Sequence, residues 1–148
     1  KEKVNLAKPE AKVTTPITSA IKALKMLNIN KISIFTPYTK TINESVVGYF
    51  KKENIIINSL SYFDIASDLD IGKVDENYLF DVLSKIDLED SDALFVSCTA
   101  LPVLSIIDKL EKKLNKIVLS SNQTLIWDSL NEINYKEKIE GFGKLFNN

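Results

Sequence analysis

An α/β lobe is the fold this sequence predicts: a four-stranded parallel sheet in a flavodoxin-like three-layer αβα arrangement. Two observations carry that expectation. Short β-branched or aromatic runs alternate with segments of helical apolar spacing along the chain. One run, Ala93-Leu94-Phe95-Val96, has no polar interruption, as a strand covered on both faces requires.

Residues 1–14 are lysine-rich with little periodicity and read as an extended lead-in. A single α/β lobe is expected over 15–133, opening on a helix with Thr15 as N-cap and Pro16 at its first position. Ile17, Ala20, Ile21, Leu24 and Leu27 form one apolar face of that helix, and Asn28 and Asn30 end it. Ile32-Ser33-Ile34-Phe35 predicts the first strand, stopped by Thr36-Pro37-Tyr38. A helix over 44–53 follows, with Asn43 near its start and Asn54 closing it. Ile55-Ile56-Ile57 opens a second strand running to about Tyr62. A polar stretch from Asp64 to Asp75 precedes a helix over 76–86. After the strand at 93–96, the pattern predicts a helix from Pro102 to Leu114, a strand at Ile117-Val118-Leu119 and a last helix over 122–133. Residues 134–148 read as a loose C-terminal tail segment.

A length of 148 residues suits one domain with a real core. Nineteen basic and twenty acidic residues give a net charge of −1, so neither nucleic acid nor an anionic membrane is expected as a partner. No apolar run approaches membrane-spanning length, and no signal-peptide core is present. One cysteine excludes an internal disulfide and fits a reducing cytoplasm. Histidine is absent, which excludes Ser-His and Cys-His catalysis within the chain. No metal and no cofactor are expected, and proton transfer must fall to Cys, Asp, Glu, Lys or Tyr.

In a parallel sheet the loops at the carboxyl ends of the strands meet on one rim, where ligands bind. Thr36-Pro37-Tyr38-Thr39, Asp64 to Asp70, Ser97-Cys98-Thr99-Ala100 and Ser120-Ser121-Asn122-Gln123 fall there. The opposite rim is charged and reads as ordinary solvated turns. Cys98 sits where a strand is expected to give way to a helix, and N–H groups from Thr99 to Leu101 would cradle a carboxylate and favour the thiolate. Bland readings stand beside these. A lone cysteine is often a small buried hydrophobe. Tyr38 fits a turn, Asn43 a helix cap, Asp68 and Asp70 with Gly72 a surface turn, and Ser120 to Asn122 a cap.

Four ordered segments carry a resemblance: Val13-Thr14-Thr15-Pro16-Ile17-Thr18-Ser19-Ala20, Phe35-Thr36-Pro37-Tyr38-Thr39, Ser97-Cys98-Thr99-Ala100-Leu101 and Ser120-Ser121-Asn122-Gln123. Their order and spacing resemble the aspartate/glutamate racemase superfamily. The nearest likeness is to its maleate cis-trans isomerase, arylmalonate decarboxylase and ectoine-utilisation branch. Gly141-Phe142-Gly143-Lys144-Leu145 is similar to the end of those proteins. The resemblance implies a cofactor-independent racemase, isomerase or decarboxylase acting on a small carboxylate or dicarboxylate between two similar lobes. This chain corresponds to the second lobe only, so it is expected to need a complementary lobe and to have no turnover alone. Cys98 matches the second-lobe cysteine, Thr99 and Ala100 the binders of a substrate carboxylate, and Tyr38 a substrate-contacting tyrosine. Asn43 and Asp68 complete the expected binding set. Where the family carries asparagine this chain has Asp68, whose charge would repel an anionic substrate unless protonated. The alternative is a non-catalytic truncated domain that forms a homodimer or binds a partner.

Overall fold

The strands β1 Lys31–Thr36, β2 Ile56–Tyr62, β3 Ala93–Val96 and β4 Ile117–Ser120 form one sheet in the order β2-β1-β3-β4 with every pairing parallel. The elements are α1 Glu2–Ala7, α2 Pro16–Met26, β1 Lys31–Thr36, α3 Lys40–Lys52, β2 Ile56–Tyr62 and α4 Asp68–Ile71, followed by α5 Glu76–Leu83, β3 Ala93–Val96, α6 Ile107–Leu114, β4 Ile117–Ser120 and α7 Ser121–Glu132. This computed structural model describes residues 2–135 and 137–147; positions 1, 136 and 148 of the expected lead-in and tail lie outside them. No helix among the described residues is long and apolar enough to cross a membrane.

Two apolar layers sandwich the sheet, because alternate strand residues face opposite sides. Ile32, Ile34, Ala93, Phe95 and Leu119 face Ala20 and Leu24 of α2 and Phe50 of α3. On the other face Phe35, Leu94, Val96 and Val118 meet Leu79 and Leu83 of α5 and Ile107 and Leu110 of α6. All of β3 is buried, as its uninterrupted apolar run requires.

Caps explain where the helices begin and end. The Thr15 side chain accepts from the Thr18 N–H, and Pro16 takes the first helical position. Asn28, Asn54, Asn115 and Asn134 follow α2, α3, α6 and α7 with φ of 55, 62, 51 and 57°. Asparagine tolerates this left-handed conformation better than other side-chain-bearing residues, which lets the chain turn sharply out of a helix. After α2 and α3 the turn feeds directly into a strand, Ile29 N–H bonding to the Leu24 carbonyl and Ile55 N–H to that of Phe50.

Five local expectations change. The lead-in is helical at Glu2–Ala7 rather than extended, with no buried residue and so no apolar period to betray it. α3 starts at Lys40, a turn earlier than expected, because Thr39 makes no side-chain cap that would mark the site. The polar stretch after β2 contains α4, which drives Ile71 into the core. α5 stops at Leu83, short of Ile86. The segment after Cys98 is not helical: a 3-10 turn at Leu104–Ile106 precedes α6, which begins only at Ile107.

The C-terminal segment is clamped rather than loose. Leu145 and Phe146 are buried, Gly143 N–H donates to Asp108 Oδ1 at 3.0 Å and Lys144 N–H to Glu111 Oε2 at 2.9 Å. The other Glu111 oxygen accepts from Val118 N–H of β4 at 3.1 Å, so one carboxylate ties tail to sheet. Burial pushes the Glu111 carboxyl above its ordinary value despite these backbone donors.

Candidate functional site at the carboxyl rim

From β1 the chain crosses to β2 on one side, then returns to β3 on the other, so the order reverses between β1 and β3. The crevice beyond the carboxyl ends of two such strands is where open α/β sheets bind ligands. The loops leaving those two strands carry Tyr38 and Cys98.

The Tyr38 loop is pinned from below. Thr36 Oγ1 accepts from the Tyr38 N–H at 3.2 Å and donates to Asn43 Oδ1 at 2.5 Å, while Asn43 Nδ2 donates to the Tyr38 carbonyl at 3.1 Å. Asn43 is 1% exposed. It braces the loop from beneath, with both ends of its amide bonded to the loop.

Cys98 is 4% exposed and belongs to the apolar cluster that includes Phe35, Ile71 and Leu101, against which Tyr38 packs. The bland and the functional readings therefore share one residue: the thiol is buried, and it also lies against a phenol. Burial first, then the Cys98 side chain and the Asp68 charge, holds the Tyr38 hydroxyl above its ordinary range. Tyr38 thus remains a protonated hydrogen-bond donor at neutral pH. Asp68, in the first turn of α4, acts on the same phenol and is otherwise exposed.

Thr99 and Ala100 are exposed, and the N–H groups of Thr99 and Leu101 make no backbone hydrogen bond among the described residues. The Ala100 N–H donates to Cys98 Sγ at 3.3 Å. No helix N-terminus stands behind these groups, so the cradle expected from a helix start is replaced by loop amides. The chain has no arginine, so a carboxylate here would be met by N–H and O–H donors rather than a bidentate guanidinium. No group of three or more His, Cys, Asp or Glu side chains among the described residues is placed to hold a metal.

A groove of about 370 Å³ runs beside the loops, lined by Ile17, Tyr38, Ile42, Val46, Ser97 and Thr99 among others. Tyr38 is common to the groove wall and to the cluster around Cys98.

Ser120 performs the capping role expected of it, its side chain accepting from the Gln123 N–H while Gln123 reaches back to the Ser120 N–H. Asn122 does something the sequence reading missed: its Nδ2 donates to the Thr99 carbonyl at 2.9 Å, joining the β4 and β3 loops. Twenty-three residues separate the two, and no local pattern announces such a contact.

Comparison with known proteins places this arrangement. The maleate isomerase of Geobacillus stearothermophilus is 26% identical over 136 residues, covering 91% of this chain and 54% of its own length. The arylmalonate decarboxylase of Bordetella bronchiseptica is 26% identical over 136 residues, covering 90% of this chain and 57% of its own length. This chain therefore spans little more than half of those relatives. Among solved structures, a Nocardia farcinica maleate cis-trans isomerase mutant with a covalently bound succinylcysteine intermediate superposes with a TM-score of 0.91 at 21% identity, over 98% of this chain and 60% of that one. A crystal structure of arylmalonate decarboxylase superposes at 0.80 with 26% identity, over 90% and 60% respectively. Residues 5–146 match the arylmalonate decarboxylase family profile, and the chain belongs to that family.

Proposed function

We propose that this chain is the second lobe of a cofactor-independent isomerase, racemase or decarboxylase of small carboxylates, completed by a complementary lobe. The observation that carries the reading is the meeting of Tyr38 and Cys98 across the point where strand order reverses. In this reading the thiol is the proton donor or nucleophile at substrate carbon. Loop amides and the Thr99 hydroxyl hold one carboxylate, and the Tyr38 O–H donates to the developing negative charge. A decarboxylation step would release CO₂ and leave the bonding pair on the α-carbon, which takes the proton of Cys98; water then reprotonates the thiolate. Asp68 weakens binding of a second anionic group on its side, favouring substrates that place a neutral or donor group there. A complementary lobe would exclude the water that an open half-cleft admits. A reducing cytoplasm is the compartment that keeps such a thiol free.

The test combines this chain with the non-matching half of a maleate isomerase or an arylmalonate decarboxylase. Maleate and phenylmalonate are then followed by proton NMR in D₂O. Conversion that falls about a thousand-fold in Cys98→Ser supports the reading. A folded complex in which the intact chain and Cys98→Ser convert equally, or not at all, overturns it.

The groove favours a second reading, a non-catalytic domain that self-associates. Ile42 and Tyr49 beside it are 47% and 57% exposed. A monomer in gel filtration at all concentrations would remove that reading.

A further inference from the structure

The loop after β3 contains one amide plane held at both ends. The Thr99 carbonyl and the Ala100 N–H belong to the same peptide unit, and in a trans peptide they point in opposite directions. Asn122 Nδ2 donates to that carbonyl oxygen at 2.9 Å, while the N–H donates to Cys98 Sγ at 3.3 Å. Asn122 is itself anchored. It is the second residue of α7, whose first turn is locked by the Ser120–Gln123 capping box, and Gln123 Nε2 also donates to the Phe142 carbonyl at 2.6 Å.

A hydrogen bond donated to sulfur favours the ionised form over the neutral one. Donation into the carbonyl of the same amide polarises its N–H and strengthens that bond. With the carbonyl released, the plane is free to rotate, and a half-turn would aim the oxygen, rather than the N–H, at the sulfur.

We propose that Asn122 is a positioning residue for Cys98: by holding the Thr99 carbonyl it keeps the Ala100 N–H on the sulfur and so sets the fraction of thiolate at a given pH. The inference rests on reading Cys98 as the reacting group, but its readout requires no turnover.

Cys98 is the only cysteine, so a chain carrying ¹³Cβ-labelled cysteine gives one resonance whose position follows its ionisation. In Asn122→Ala the midpoint of that titration should rise by about one pH unit, a roughly tenfold smaller thiolate fraction below the midpoint. The Ala100 amide signal should also stop responding to it. Asn122→Asp keeps the side-chain shape, ends the donation and suits a helix N-terminus, so it guards against loss of folding. It should raise the midpoint at least as far. Asn122→Gln, which keeps the amide, should restore part of the shift. Unchanged midpoints in both the alanine and aspartate variants would overturn the proposal, as would a rise confined to aspartate, which would report only added charge. Absence of turnover with a complementary lobe would count against the proposed function while leaving this titration intact.

Discussion

Two strand-to-helix junctions lie side by side on the carboxyl rim and behave differently. After β4 the chain enters α7 at once: Ser120 is the last strand residue and the cap, and Ser121 is already helical. After β3 the chain runs through 97–103 without regular structure before the 3-10 turn at Leu104. The first arrangement uses a side chain and a capping box to satisfy helix N–H groups, leaving fewer for a ligand. The second leaves loop amides beside a thiol. A rim of similar small polar residues therefore divides into a closed junction that holds the fold and an open one whose Thr99 and Leu101 N–H groups have no backbone partner among the described residues. Asn122 reaches from the closed junction to steady the open one.

Breaking the closed junction should cost stability most. Gly143 has φ of +88°, and an added Cβ would stand 2.5 Å from Ile107 Cγ2 and 2.8 Å from Gln123 Nε2. Gly143→Ala should destabilise by about 2–4 kcal/mol, read by urea denaturation, because it combines left-handed strain with overpacking. Asn43→Ala, at the first rim loop, leaves the buried Thr36 O–H without its acceptor and should cost about 1–3 kcal/mol while broadening the Tyr38 ring signals. Ser120→Ala removes the cap and should cost about 1 kcal/mol without moving the Cys98 resonance.

A smaller effect lies in the clasp between α2 and α7. Burial pushes the Asp128 carboxyl up, but donors from Lys22, Thr14 and Ser19 more than offset this and hold it below its ordinary value of 3.8. The folded state therefore binds fewer protons than the unfolded state in acid. The stabilisation is present above pH 3.8 and is lost as pH falls through the depressed value. Asp128→Asn should flatten this part of the acid-unfolding curve. Tyr38→Phe keeps the packing and should change stability least, within about 0.5 kcal/mol. It should still move the Cys98 Cβ resonance, because the phenol lies against the thiol.

What could be read from the sequence followed the locality of the signal. Thr15-Pro16, Asn28 and Asn54 at the ends of the first two predicted helices, and the apolar run of β3 act within a few residues and were legible. The open junction was not. Pro102 with Val103, Ile106 and Leu110 mimics a helix start, yet the chain delays until Ile107 and buries Leu101 and Val103 from an irregular loop. The tail was misread for a related reason: the Gly143 and Lys144 N–H groups are held by Asp108 and Glu111, more than thirty residues away. The places of Cys98 and Tyr38 in the loops leaving β3 and β1 were legible from the strand pattern. Asn43 was legible as a residue near a helix start but its bonds to Thr36 and Tyr38 were not, and Asn122 was missed because its partner is remote in sequence.

The contrast between the junctions is tested most directly by titrating a small dicarboxylate such as maleate into the ¹⁵N-labelled chain and following backbone amides. Saturable shifts at Cys98, Thr99, Ala100 and Leu101, with Ser121 to Gln123 unmoved, are the predicted result. Shifts centred on Ser121 to Gln123, or a uniform drift without saturation, would contradict the assignment of the β3 loop as the open, carboxylate-facing side of the fold.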